Sequence, residues 1–321
     1  MTRSEFRKDI ISGEWVLLAG GLKKKPNFFS EKKPKAASKK DCPFEVLNKK
    51  EIKFSSGFVN VIPNKFPILT PHKICPSPFG EGPYQKMAGV GFQEVVVTRD
   101  HDRSLGFMTT EEISMVLDAY LERYKELQKE ECIEYILIFH NNGPTAGASV
   151  AHPHSQILAL PIVPLDVSRS LLGSGNYFHE NKKCAHCEVL KKEFKDKKRI
   201  VSENKDFVAV SPFASHVSFE TRIYPKKHSS NFEEIGEGEK KSFADIVRVV
   251  LAKIKNGMNN ADYNFFIHTA PAKAKDVKHY HWHMEILPRT NIWGGLELGS
   301  GTEVVKVPPE EAARILRSSK V

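Results

Sequence analysis

Two histidines and a glutamine fall at every second position in Ala151-His152-Pro153-His154-Ser155-Gln156-Ile157. Side chains alternate between faces on an extended strand, so His152, His154 and Gln156 share one surface while Pro153, Ser155 and Ile157 take the other. An imidazole is substantially unprotonated near neutral pH and attacks phosphorus without a separate base. A neighbouring amide can donate to a phosphate oxygen as charge builds there. Upstream, Phe139-His140-Asn141-Asn142-Gly143-Pro144-Thr145-Ala146-Gly147-Ala148-Ser149 supplies small residues and amides whose backbone N–H groups can come close to phosphate. A lone histidine is more often packed or solvated than reactive. Two in phase, with an in-phase amide and such a loop before them, point to a nucleophilic histidine beside a phosphate cradle.

A second chemical pattern is Cys184-Ala185-His186-Cys187, the spacing at which two thiolates share one tetrahedral metal ion. His228 and then His279 or His281 follow it as further donors. Five cysteines are too few and too unevenly placed for a disulfide framework, and Cys75 and Cys132 read as ordinary buried or half-buried thiols.

The elements that must position these groups occur twice. Strands are expected at Trp15 to Ala19, Phe58 to Val61, Gln93 to Val97 and Tyr135 to Phe139. A helix capped near Thr109 or Thr110 buries Ile113, Val116, Leu117, Tyr120, Leu121 and Tyr124. Phe207-Val208-x-Val210-x-Pro212 repeats Phe58-Val59-x-Val61-x-Pro63, and a second amphipathic helix spans roughly Glu239 to Lys255. His101 and His228, His152 and His279, and Pro161 and Pro288 are each 127 residues apart. Repetition at that length means a duplicated domain and not a short-repeat solenoid. The expected fold class is α+β, two tandem domains, 1–170 and 171–321, each an antiparallel sheet with a helix on one face. The Gly-, Ser- and Asn-rich stretch from Ser168 to Lys183 reads as the linker.

The net charge of +9 lies in lysine clusters such as Lys23-Lys24-Lys25 and Lys197-Lys198, in segments without apolar periodicity or a nucleic-acid motif. A pull on anionic substrates follows, and no nucleic-acid or membrane partner. A non-catalytic, zinc-bearing nucleic-acid binder is the rival class. No apolar run is long enough to span a bilayer and the polar start lacks a signal-peptide core, so a cytoplasmic protein is expected.

The run from Phe139 to Gln156 resembles the active-site segment of the galactose-1-phosphate uridylyltransferase family of the histidine-triad superfamily, including its ADP-glucose phosphorylase-like relatives. Phe6 to Asp9, Gly13 to Leu17, Pro63 to Pro67 and Gly294 to Glu297 extend the resemblance over most of the chain. It implies two histidine-triad-like domains and transfer of a nucleoside monophosphate, by ping-pong kinetics through a nucleotidyl-histidine, between UDP-glucose and a hexose 1-phosphate such as galactose 1-phosphate. The alternative it implies is ADP-glucose with phosphate as acceptor, favoured by Ser155 in place of the usual glycine and by the Cys184/Cys187 pair.

Residue by residue, the resemblance makes His154 the nucleophile and Gln156 its partner. Asn141, Gly147, Ala148 and Ser149 fall on the phosphate, Asn64 and Phe66 on the nucleoside, and Glu297 and Glu303 on the hexose. Lys25 stands where an arginine usually faces the diphosphate, and Leu22 replaces a second arginine. Structural zinc is implied at Cys42, Glu45, His101 and His152, with Glu45 in place of a second cysteine, and more strongly at Cys184, Cys187, His228 and His281. The 127-residue spacing favours His279 for the last ligand, so that position stays open. Ser170 occupies the place of an acid needed for an iron site, which is therefore not expected. Paired subunits are usual in the family, so a homodimer is expected.

Overall fold

Strands form where β-branched and aromatic residues alternate with polar ones and stop at Gly, Pro or Asn. The computed structural model describes residues 4–19 and 39–321. In chain order its strands are β1 (Glu5–Lys8), β2 (Trp15–Leu18), β3 (Phe54–Ser55), β4 (Val59–Pro63) and β5 (Phe79–Glu81). They continue as β6 (Tyr84–Lys86), β7 (Phe92–Thr98), β8 (Tyr135–Asn142), β9 (His154–Leu160) and β10 (Ile200–Glu203). The last are β11 (Phe207–Val210), β12 (Thr221–Pro225), β13 (Tyr263–His268), β14 (His283–Pro288) and β15 (Val304–Val305). The helices are α1 (Thr110–Leu127), α2 (Leu165–Asn181), α3 (Ala185–Asp196), α4 (Glu237–Gly257), α5 (Gly295–Ser300) and α6 (Pro309–Ser318).

Ten strands form one sheet in the order β10-β11-β12-β14-β13-β8-β9-β7-β4-β3. Read from each outer edge inwards, the two halves have the same order, so the sheet repeats its own plan about the seam between β8 and β13. There Tyr263 lies opposite Asn142 and Ile267 opposite Ile138, all antiparallel. Each half is thus an antiparallel sheet with its helix on one face, an α+β architecture. The expected helix cap is present at Thr109, whose hydroxyl accepts from the Glu112 N–H while the Glu112 carboxylate accepts from the Thr109 N–H. α1 and α4 then bury Tyr120, Tyr124, Phe243, Val250 and Leu251 with Ile136, Ile138, Ile157, Phe265 and Ile286 in one core. Period two does the rest. Ser155, Ile157 and Ala159 of β9 turn to the helices, and His154 and Gln156 turn to the opposite face.

Two expectations are corrected. The stretch read as a linker is helix α2, because its glycines serve packing and not flexibility. A side chain at Gly173 would meet the Ile11 carbonyl oxygen at 1.8 Å. Cys75 and Cys132 are joined in a disulfide, with their Cα atoms 5.0 Å apart across 57 residues of sequence. Nothing in the spacing of five cysteines signals that pairing. Among the described residues no helix is long and apolar enough to cross a membrane.

The disulfide leaves Cys42, Cys184 and Cys187 as thiols. Protein denatured without reductant should therefore take up three alkyl groups, and five after reduction, by intact mass. Five alkyl groups in both cases would remove the bridge.

Candidate active site and metal clusters

His154 opens β9, buried, with its ring tilted against Phe44 at 5.1 Å between centroids. Its Nδ1 lies 2.8 Å from the His152 carbonyl oxygen. A carbonyl only accepts, so Nδ1 carries the proton and Nε2 keeps its lone pair. Burial holds this imidazole below the usual histidine range, against the opposing effect of the bond to the His152 carbonyl. On the helix face behind it, the Tyr120 hydroxyl donates to Ser155 Oγ at 2.5 Å, and Ser155 Oγ lies 3.0 Å from His140 Nδ1. Burial keeps His140 neutral, at about 3. These partners pin β9 from the core side, so Tyr120 does more than fill the core.

The loop after β8 is anchored by residues of the second half. Gly143 adopts φ +90°, and a side chain there would run into the Asp262 carboxylate. That carboxylate accepts from the Thr145 N–H at 3.0 Å and its hydroxyl at 2.7 Å. Asn264 Nδ2 donates to Asn141 Oδ1 and to the Ala146 carbonyl, both at 2.8 Å, which leaves the Asn141 amide hydrogens as donors. The N–H groups of Gly147 and Ala148 donate to the carbonyls of Pro144 and Gly143 and close the loop on itself. Ser149 is exposed beside a cavity of about 650 Å³ that Lys255 and Asn260 also line. For Asp262 and Asn264 the sequence offers only two polar residues in phase at the start of β13, and for Lys255, at the end of α4, no local signal.

The turn from Asn64 to Ile68 is held by Gln93 of β7. The Asn64 N–H donates to the Gln93 carbonyl, and Asn64 Oδ1 accepts from the Phe66 N–H, each at 2.9 Å. Phe66 stands 79% exposed beside it. Lys25 and Leu22 lie outside the described residues. The sugar-side acids are not brought to His154. Glu297 accepts from the Gly294 N–H at 2.9 Å and caps α5. Glu303 pairs with His216 at 2.8 Å in a cavity of about 370 Å³ shared by the N-terminal strands and the second half, whose lining includes neither His154 nor Gln156.

Two clusters gather potential metal ligands: Cys42, Glu45, His101 and His152, and Cys184, Cys187, His228 and His281. In each, the ligand atoms lie within 4.8 Å of one another. His152 Nε2 donates to the Thr98 carbonyl at 2.7 Å and His281 Nε2 to the Pro225 carbonyl at 3.0 Å, which turns both Nδ1 lone pairs into their clusters. Cys42 Sγ and Cys187 Sγ approach those Nδ1 atoms at 3.5 and 3.6 Å. The Cys184 thiol is pulled far below its usual range, first by its hydrogen bond with Cys187 and then by His228 and His281. His279 contributes only its carbonyl, toward Cys184 Sγ. The 127-residue spacing fails at this point because the second half carries two extra residues before its strand. With Ile223 opposite Met284 and the rings of Tyr224 and His283 stacked at 4.8 Å, His283 and not His281 takes the place in its half that His154, opposite Val97, takes in the first.

Strand pairing therefore gives His154 and Gln156 the counterparts His283 and Glu285. His283 repeats the tautomer-fixing bond, its Nδ1 lying 3.0 Å from the His281 carbonyl. Its neighbour is a carboxylate engaged with Arg222 at 3.2 Å, so the second half lacks the amide donor.

The loop anchors give a direct test. Asp262→Ala should speed backbone hydrogen exchange at Thr145, Gly147 and Ala148 by about tenfold or more while leaving β8 and β9 protected. Unchanged protection in the loop would show that Asp262 does not hold it.

With this geometry in place, comparison with known proteins is informative. The galactose-1-phosphate uridyl transferase N-terminal domain matches residues 2–164 and its C-terminal domain residues 173–299. ADP-glucose phosphorylase of Arabidopsis thaliana is 33% identical over 98% of this chain and 92% of its own. Galactose-1-phosphate uridylyltransferase of Thermotoga maritima is 32% identical over 99% of both. The crystal structure of an Arabidopsis thaliana ADP-glucose phosphorylase with bound ADP-glucose superposes with a TM-score of 0.84 at 30% identity over the whole of both chains. A uridylyltransferase structure does so at 0.78 and 29%, over 98% of this chain and 97% of that one. The chain belongs to the galactose-1-phosphate uridylyltransferase family and is an enzyme of the nucleotidyltransferase class.

Proposed function

We propose that this protein transfers a nucleoside monophosphate through a covalent intermediate on His154. The observation that carries the reading is the bond from His154 Nδ1 to the His152 carbonyl, which leaves Nε2 as the nitrogen with the lone pair, on the face of the sheet away from the helices. Nε2 attacks the α-phosphorus of a nucleotide sugar. The bond from that phosphorus to the bridging oxygen breaks, and sugar 1-phosphate leaves with the electron pair. As the ring gains positive charge, its Nδ1–H bond to the carbonyl strengthens. An acceptor phosphate oxygen then attacks the same phosphorus, the N–P bond breaks, and His154 returns neutral. Gln156 and Asn141 donate to the non-bridging oxygens, with Ser149 beside them. Asn64 and Phe66 hold the nucleoside, and Lys25 meets the diphosphate. Glu297 and Glu303, which have other partners within this chain, would read the sugar only from a paired subunit, and such pairing would also cover the exposed Ile292, Trp293, Leu296 and Leu298 near them.

The first reading takes UDP-glucose as donor and a hexose 1-phosphate such as galactose 1-phosphate as acceptor. The second takes ADP-glucose and phosphate, and the Cys184/Cys187/His228/His281 cluster together with Ser155 favours it. Both clusters suit zinc, the second with two thiols and two imidazoles and the first with a thiol, two imidazoles and the Glu45 carboxylate, four donors in each as a structural zinc takes. Zinc there would tie strands together, and at the first cluster it would fix His152, whose carbonyl orients the nucleophile.

Incubation with labelled UDP-glucose or ADP-glucose should leave acid-labile label on the wild type and none on His154→Ala. Parallel runs with galactose 1-phosphate and with phosphate then identify donor and acceptor. Equal labelling of both proteins would remove His154 from the reaction. For the metal, His281→Ala should lose about one equivalent of zinc per chain and His279→Ala none, by elemental analysis. The reverse pattern would restore His279 as ligand.

A further inference from the structure

Gln156 must present its NH2 group to the phosphate, because phosphate oxygens only accept, yet a glutamine amide can rotate to offer either end. Its neighbour on β7 fixes the choice. The Ile68 N–H donates to Gln93 Oε1 at 2.9 Å. A backbone N–H cannot accept, so the other end of the Gln93 side chain is its NH2, which donates to Gln156 Oε1 at 2.7 Å. With its oxygen engaged, Gln156 is left with its amide hydrogens as the free end. The polarity of the relay is thus set at a backbone group in the nucleoside turn and passed through two amides to the reaction centre. Gln93 also accepts the Asn64 N–H on its own carbonyl, so one residue holds both ends of the turn from Asn64 to Ile68.

We propose that Gln93 is a positioning residue for nucleotidyl transfer, setting Gln156 with its donor end toward the phosphate and tying that setting to the nucleoside-binding turn. The inference rests on the His154 reading above. It assigns Gln93 no contact with the reacting atoms.

Two substitutions separate orientation from packing. Gln93→Glu can still accept from the Ile68 N–H, but its second oxygen also accepts and so draws the Gln156 NH2 toward itself, turning the Gln156 oxygen to the phosphate. Gln93→Met keeps the bulk and leaves the Gln156 amide unconstrained. The rate constant of label formation on His154, with the donor the wild type uses, should fall about a hundredfold in Gln93→Glu, as expected for loss of one transition-state donor, and less than about tenfold in Gln93→Met. KM for the donor should stay within about threefold. In a Gln156→Ala background either substitution should change the rate by less than about twofold, because there is no amide left to orient.

A role for Gln93 in packing alone, or a simple repulsion of phosphate by the new carboxylate, predicts the same loss in both backgrounds and overturns the inference. So does a Gln93→Glu enzyme no slower than Gln93→Met. If Gln93→Glu does not fold, Gln93→Met with and without Gln156→Ala carries the same cycle. Label absent from the wild type overturns the His154 reading and this inference together, whereas label present with additive losses overturns this inference alone.

Discussion

Everything at the site depends on two strands from different halves pairing as neighbours. Because β8 and β13 are hydrogen-bonded in one register, Asn264 lies opposite Asn141. Asp262, just before β13, then reaches the turn that follows β8. A loop made of glycine, alanine and serine has little side-chain surface with which to hold its own shape. Here its shape is supplied by a carboxylate and an amide located about 120 residues later. The joined sheet also lets α1 and α4 close one apolar core beneath both halves, so the loop is anchored to the most buried part of the molecule.

A second constraint acts at right angles to the first. Strand β9 begins at His154, and the residue that orients its imidazole, His152, is outside the strand, in a cluster of metal-ligand side chains. The His152 ring is fixed at both nitrogens, Nε2 to the Thr98 carbonyl and Nδ1 toward Cys42 and Glu45. Its carbonyl is thereby fixed as well, and that carbonyl selects the His154 tautomer. The spacing of the two histidines allows both roles, with one ring in the cluster and the next presented on the open face.

Much of this could be read from local pattern. In-phase His154 and Gln156, the Thr109/Glu112 cap, the buried stripe of α1 and the pair Cys184/Cys187 are all signals carried within a few residues. What could not be read depends on distance. The partners Asp262 and Asn264 become visible only once the register across the seam is known, and the Cys75–Cys132 bridge only once the loop around Cys75 is seen to return to the segment after α1. The stretch around Gly173 misled for another reason. Glycine marks either a flexible linker or a close approach of backbones, and only the position of the Ile11 carbonyl distinguishes the two. The choice between His279 and His281 turned on two extra residues, which shift the sequence repeat without disturbing the strand pairing.

The duplication did not produce two equivalent centres, and the reason is electrostatic. His283 keeps the burial and the carbonyl bond of a nucleophile, but Glu285 occupies the place of Gln156. Around it, Arg222 contacts Glu220 at 2.8 Å, Glu285 at 3.2 Å and Asp9 at 3.4 Å, so one guanidinium faces three carboxylates. Burial pushes the Glu285 carboxyl up, chiefly by desolvation, with Arg222 opposing. A diphosphate entering that pocket would meet carboxylate acceptors and would find its cations, Arg222 and His216, already engaged. At matching strand positions the first half thus carries an amide bonded to Gln93 and the second a carboxylate that joins β12 and β14 through Arg222.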